Sequence, residues 1–307
     1  MRCPRLSELP PPPEGKSGWP WTEGHADLPD TMAGGSAWPR VAIVTASYNQ
    51  GKFLEQTIRS VLLQGYPDLE YIIVDGGSND ESIGIIRKYE EWLAYWCSET
   101  DGGPPAALNK GFRHTTGDVL GYLNADDFYL RGCLPRIADE FQRQPLVDVV
   151  YGNGHFTYAS TEVLKPIFSD QWDLRRFAYG ACIIIQQATF FRKKPFQNLS
   201  GFNEDNRTCW DAELLVELAL AGAQFNYCDD FLGVFRIHED SITASGRFKE
   251  QLRRDQEWIF EKIIGRSRSV IDRLFELIYR IQRFSSHPYR ALDYRLFFRR
   301  ALKRWWL

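Results

Sequence analysis

Val119-Leu-Gly-Tyr-Leu-Asn-Ala-Asp-Asp127 reads as a short strand that runs straight into three oxygen-bearing side chains. Its first five residues carry no charge, which suits a buried strand. In an open α/β sheet, ligands sit in the crevice at the carboxyl ends of the strands. Asn124, Asp126 and Asp127 cluster at such an end. Oxygen ligands there suit a hard divalent cation, which in turn holds phosphate oxygens. The same residue types also close strands as ordinary turn formers. The stretch alone supports both readings equally.

Upstream, residues 41–46 form a second apolar run, followed by the turn Ser47-Tyr-Asn-Gln-Gly51. Leu54, Ile58, Val61 and Leu62 then recur at helical spacing. Residues 71–74 read as a strand ending at Asp75-Gly-Gly-Ser-Asn-Asp80, and a helix with Ile83, Ile86 and Leu93 on one face follows. A loop at 101–105 leads to a short helix over 107–113 and then to the strand quoted first. Downstream, a helix carrying Leu134, Ile137 and Phe141 precedes a strand over 147–151. Strands alternating with helices predict an α/β fold with parallel pairing. Residues 152–200 are less regular, with the run Ala181-Cys-Ile-Ile-Ile-Gln-Gln187 and the aromatic pair Phe190, Phe191. Residues 211–221 read as a helix that Gly222 ends, and 225–238 as paired short strands. The Pro- and Gly-rich residues 1–39 read as an extended leader, either laid on the surface through Trp19, Trp21 and Trp38 or disordered.

The 307 residues are enough for one domain and appendages, with a sizeable core. Cysteines at 3, 97, 133, 182, 209 and 228 form no CxxC pair, so neither a zinc site nor a disulfide framework is expected. Reduced thiols in a cytoplasmic protein fit best. No apolar run approaches the roughly 20 residues that span a bilayer, and no secretion signal is visible. Residues 247–307 hold 16 Lys and Arg against 7 Asp and Glu, a charge of +9, while the preceding residues carry −12. From about Phe248 the pattern is helical, basic and aromatic, and it ends in Phe297-Phe-Arg-Arg-Ala-Leu-Lys-Arg-Trp-Trp-Leu307. Such a tail suits either packing on the body or docking on the anionic inner face of a membrane; nucleic acid is not expected.

The loops at 45–49, 75–80, 124–127 and 210–213, in this order, together with Phe235-Arg-Ile-His238, resemble glycosyltransferase family 2. The resemblance spans about 41–243 and implies an inverting sugar transferase of the GT-A fold, with a Rossmann-like mixed sheet flanked by helices. It divides the chain into a leader (1–39), a catalytic domain (40–246) and a helical tail (247–307). Carried over, it implies that Ala46, Tyr48 and Asn49 line the nucleotide pocket with Asp75 and Asp101. Asn124-Ala125-Asp126 takes the family's Asp-x-Asp position, with Asn124 and Ala125 on the nucleotide sugar and Asp126 on the metal. His238 meets the metal or diphosphate, and Asp211 is the catalytic base. Mg2+ or Mn2+ is the implied cofactor, and a UDP-sugar the first donor to consider, with GDP- and dTDP-sugars behind it. A glycan or lipid-linked acceptor in surface polysaccharide synthesis is the implied partner.

Two departures stand out. Many members carry two adjacent acids where this chain has Asp75-Gly76. Close relatives read Asp-x-Gly-Gln-x-Asp-Ala where this chain has Asp101-Gly-Gly-Pro-Pro-Ala-Ala107. They leave open a second reading, a nucleotide-sugar binding module without turnover. Other side chains have weaker claims: Trp210 could stack on a sugar, Gln187 could face the acceptor or satisfy buried backbone, and Lys110 and Arg113 suit a solvated helix.

Overall fold

A run such as Val41-Ala-Ile-Val has no polar face, so it is stable only with both sides covered. The computed structural model, which describes residues 1–26, 28–159, 163–242 and 247–286, puts this run mid-sheet. Strand β1 (Val41–Ser47) is flanked in parallel by β2 (Leu69–Asp75) and β4 (Val119–Tyr122), and β3 (Tyr95–Ser98) extends the sheet beyond β2. Helices α1 (Gly51–Leu62), α2 (Ser82–Lys88) and α3 (Pro104–Arg113) make the crossovers. The helix expected through Leu93 stops at Lys88. Tyr89 turns into the core, where its hydroxyl donates to Glu55 and accepts from Arg59.

The second half of the sheet is mixed. β5 (Phe128–Tyr129) and α4 (Cys133–Arg143) lead to β6 (Val149–Tyr158), which carries the short β7 (Lys165–Ile167). After α5 (Leu174–Ala178), β8 (Thr189–Arg192) enters between β4 and β6, antiparallel to both. The pair Phe190, Phe191 is this strand. Gly121 makes room for it, since a Cβ there would come within 2.7 Å of the Phe190 ring. α6 (Lys193–Gln197) and α7 (Trp210–Leu220) follow, and Gly222 ends the second with φ 88°.

The paired short strands expected over 225–238 are one strand, β9 (Phe225–Ile237), parallel to β6 and antiparallel to β5. Its register jumps from Tyr151↔Tyr227 to Asn153↔Phe231, so Cys228, Asp229 and Asp230 bulge out opposite Gly152. Two acids in the middle of an apolar run made one bulged strand look like two. The order is β3-β2-β1-β4-β8-β6-β9-β5. Direction reverses at β1, which sends crossovers to both sides and opens a crevice beyond the ends of β1 and β4.

The leader is built into the domain. Arg59 of α1 is wholly buried, and its guanidinium donates to the carbonyls of Pro10, Pro20 and Trp21 and to the Tyr89 hydroxyl. A buried cation is tolerable only when satisfied to this degree. Trp21 lies under it, and Trp19 donates from Nε1 to the Tyr129 carbonyl. At the other end, α8 (Lys249–Ile264) and α9 (Asp272–Ser286) pack beside α5 and α7. The closing residues 297–307 lie outside the described residues. All six cysteines are free. No described helix is long and apolar enough to cross a membrane.

Candidate active site

The loop after β4 is fixed from below. Thr57 of α1 donates to the carbonyls of both Ala125 and Asp127, at 2.8 and 2.6 Å. Asp127 turns inward and is fully buried. One carboxyl oxygen accepts from the Arg236 N–H at 2.8 Å and the other from Gln187 Nε2 at 2.7 Å. Burial, with the neighbouring Asp126 charge, raises its pKa well above the usual carboxylate value. Asp127 therefore ties three distant segments together and is spent on the fold. Gln187 is its buried partner, which answers the acceptor question for that residue.

Asp126 turns the other way. Its Oδ2 lies 2.9 Å from His238 Nε2. Residues 236 and 238 share a face of the extended chain, so Arg236 stands behind this pair. Its Nε donates to the Asp126 carbonyl, its Nη2 to Gln56, and its guanidinium lies between the Phe53 and Phe128 rings. Burial lowers its pKa from the usual guanidinium value. Phe53 also packs on the His238 ring, 4.9 Å between centroids. The 2.9 Å separation of Asp126 and His238 is a hydrogen bond between the two side chains; two neighbouring ligands at about 2.1 Å from an octahedral ion stand at a similar distance, about 3 Å. Among the described residues no group of three or more His, Cys, Asp or Glu side chains converges as a metal site.

The turn after β2 differs from expectation. Asp75 is fully buried, and its carboxylate accepts from Gly77 N, Ser78 N, Ser78 Oγ and Ser98 Oγ at 2.5–3.1 Å. Its oxygens are taken up by the turn that they shape, where the sequence led one to expect them turned toward the nucleotide. What the turn presents is Gly76. A Cβ there would meet the Asp101 carboxylate at 3.3 Å and the Tyr48 ring at 3.4 Å. Tyr48 is 62% exposed, and Asp101 is half-buried, its pKa raised by burial and, secondarily, by the Asp75 charge. Asn49 sits at φ 52°, a left-handed conformation that Asn tolerates, with Oδ1 accepting from Asn79 N. Ala46 and Asn124 are half-buried at the two strand ends, and the Ser47 hydroxyl beside them is buried without a protein partner. The Ala125 side chain is 1% exposed and belongs to the core, with its carbonyl held by Thr57.

Asp211 is the second residue of α7, half-buried, and its pKa is raised by burial. It lines a small cavity, about 50 Å³, with Tyr122 at the end of β4, Gln186, Thr189 and apolar neighbours. That volume holds a few waters. Gln186 donates to the Tyr122 carbonyl, and its Oε1 is buried without a protein partner. Trp210 points into the core at 7% exposure and stacks on no sugar. Lys110 pairs with Glu99. Sequence reasoning missed Arg236, Gln186 and the meeting of Tyr48, Gly76 and Asp101. The alternation in Phe235-Arg-Ile-His238 was the signal for the first; the others depend on loops that meet only in three dimensions.

A sequence model described as Glycosyl transferase family 2 matches residues 42–200. The chain belongs to glycosyltransferase family 2. It is 31% identical over 185 residues to the uncharacterized glycosyltransferase Rv1514c of Mycobacterium tuberculosis, covering 59% of this chain and 70% of that one. It is 33% identical over 216 residues to the uncharacterized glycosyltransferase alr2836 of a Nostoc species, covering 66% and 63%. Among solved structures it resembles S. aureus TarS 1–349 in complex with UDP, with TM-score 0.58, 17% identity, and 80% of this chain on 72% of that one. It also resembles the mannosyltransferase PcManGT of Pyrobaculum calidifontis in complex with GDP-Man and Mn2+, with TM-score 0.56, 20% identity and coverages of 83% and 72%. The fold is GT-A, and the chain is a glycosyltransferase.

Proposed function

We propose that this protein moves a sugar, with inversion, from a nucleoside-diphosphate sugar to a glycan or lipid-linked acceptor in surface polysaccharide synthesis. The observation that carries the reading is the Asp126–His238 pair at the mouth of the crevice, one residue from an acid spent entirely on the fold. Asp126 and His238 would hold Mg2+ or Mn2+, with phosphate oxygens and water completing the shell, as is usual for such ions. The bound cation supplies Lewis acidity for the departing diphosphate. Arg236 holds the Asp126 peptide in place from behind.

The base of the donor lies on Tyr48 at the exposed turn. Gly76 lacks the acid that many relatives carry, and Asp101 closes on that glycine from the next loop, within 3.3 Å of where a Cβ would be. Asp101 thus supplies the missing carboxylate and accepts the ring N–H of the base. Both UDP and GDP offer such an N–H, and UDP is the first candidate. Ala46 and Asn124 border the ribose at the strand ends. Asp211, across the end of β4, takes the proton from the acceptor hydroxyl. An inverting displacement needs one base on the face opposite the leaving group. Its raised pKa makes it a stronger base than an ordinary carboxylate.

The test is a panel of nucleotide sugars incubated with the protein and Mn2+ or with EDTA, with release of the nucleoside diphosphate as the readout. Mn2+-dependent release from one or two donors is expected. Binding without release from any donor, or release unaffected by EDTA, contradicts the reading.

A further inference from the structure

Helix α9 is fastened along one face and bare along the other. Asp272, at its start, accepts from the Tyr179 hydroxyl at 2.8 Å, from Ser269 N and Oγ, and from both Nη groups of Arg266. One turn on, Glu276 pairs with Arg268; Tyr279 packs on Tyr179; Arg283 pairs with Asp170 at 2.8 Å. These residues recur every three or four positions and define the inner face. The helix is therefore docked firmly.

The opposite face carries Leu274, Leu277, Ile278 and Ile281, exposed by 54, 54, 38 and 54%. Val270 and Ile271, exposed by 83 and 58%, lead into it. A continuous apolar stripe of this length on a surface marks an interaction site. Arg273 and Arg280, two turns apart and both exposed, run along its edge. The acids of α9 lie elsewhere: Asp272 is buried under Arg266 and Glu276 is held by Arg268. The sequence that follows, 287–307, adds six Arg and Lys against one Asp, with six Tyr, Phe and Trp.

We propose that the outer face of α9 docks on an anionic lipid surface, with the stripe in the headgroup region and the positive charge beside and after it drawn to the lipid phosphates. The charged residues of this helix that border the stripe, Arg273 and Arg280, are both cations, which suits a negative surface. Two copies pairing antiparallel about a two-fold axis would bring the same cations together. The helix would lie on the membrane, as basic amphipathic helices do, and not cross it. Lipid phosphate attracts each nearby basic residue, and salt screens that attraction. The docking does not depend on the reaction proposed above, because it is read without donor or acceptor.

The experiment is co-sedimentation of the full chain with phosphatidylcholine vesicles, with or without phosphatidylglycerol, at low and high salt. The parent is compared with L274E/I278E/I281E and with R273E/R280E. The parent is expected to sediment with the phosphatidylglycerol vesicles, less at high salt. The triple variant should bind at least about tenfold more weakly, and R273E/R280E should lose binding only where the lipid is anionic. Equal sedimentation of parent and R273E/R280E on anionic vesicles overturns the proposal. So does a parent that stays in the supernatant, or one that elutes as a dimer which the triple variant dissociates without any vesicle binding. An unchanged melting temperature and unchanged nucleotide binding show that the variants are folded and that donor recognition is separate.

Discussion

Two acid-rich turns close neighbouring strands on either side of β1, and they use their acids differently. In the turn after β2, Asp75 is buried under four hydrogen bonds, and Asp80 accepts from Gly51 N and Ser82 N at 2.9 Å, tying together the starts of α1 and α2. In the turn after β4, Asp127 is spent in the same way, but Asp126 is presented to His238. The contrast teaches that an acid at a strand end is a ligand candidate only when its oxygens are not already taken by N–H and O–H groups of the turn.

The largest effect should come from removing the presented acid. Asp126→Ala is expected to abolish sugar transfer while the melting temperature barely moves, because the carboxylate supports no backbone. A melting temperature that falls steeply would place Asp126 with Asp127. Next is Asp211→Asn, which keeps the shape but removes the basicity. Turnover should drop by about 10²–10⁴ with donor affinity little changed.

The same residue predicts a pH effect. Burial raises the Asp211 pKa, so the parent rate should fall as pH drops through a value above 3.8, the ordinary carboxyl. For stability the sign is opposite. A raised folded-state pKa means that ionising the group opposes folding, so its contribution diminishes as pH rises from the unfolded pKa through the folded one. Asp211→Asn escapes that cost and should be slightly more stable than the parent at neutral pH, by thermal melting. A less stable Asn variant would show that the carboxylate is held by partners, like Asp75.

Asp75→Ala should act through the fold. Four donors lose their acceptor, which costs about 1–3 kcal/mol, and activity should follow the folded fraction in a denaturant titration. A variant as stable as the parent but unable to bind nucleotide would return Asp75 to the donor site. The smallest effect concerns the vacated acid. Asp101→Ala should weaken nucleotide binding about tenfold, roughly the worth of one hydrogen bond to a charged group. Adding Gly76→Asp should restore it, whereas Gly76→Asp alone sets two carboxylates against each other. Titration of UDP and GDP into the three variants decides this.

Much of this was legible. The runs at 41–46, 71–74 and 119–123 have no polar face, and the helices between them keep their period, so the parallel half followed from pattern. Asp126, His238 and Asp211 were singled out by the resemblance to the family's motifs, and the fold brings the first two together. What escaped depends on distant partners. Asp127 looks like Asp126 until Gln187 and Arg236 arrive from 60 and 109 residues away. The leader carries no period, because its order comes from the side chain of Arg59 on another element. β8 is four residues long, too short for alternation to show. The bulge at Asp229-Asp230 concealed the continuity of β9.

The central claim is that Asp126 and His238 bind a divalent cation together with the donor diphosphate. Calorimetric titration of UDP and of GDP into the parent and into Asp126→Ala, each with Mn2+ and with EDTA, tests it directly. The account predicts that Mn2+ tightens binding of at least one nucleotide to the parent by about tenfold or more, and that Asp126→Ala loses this dependence while still binding the nucleotide weakly. The same Mn2+ dependence in both proteins would contradict it.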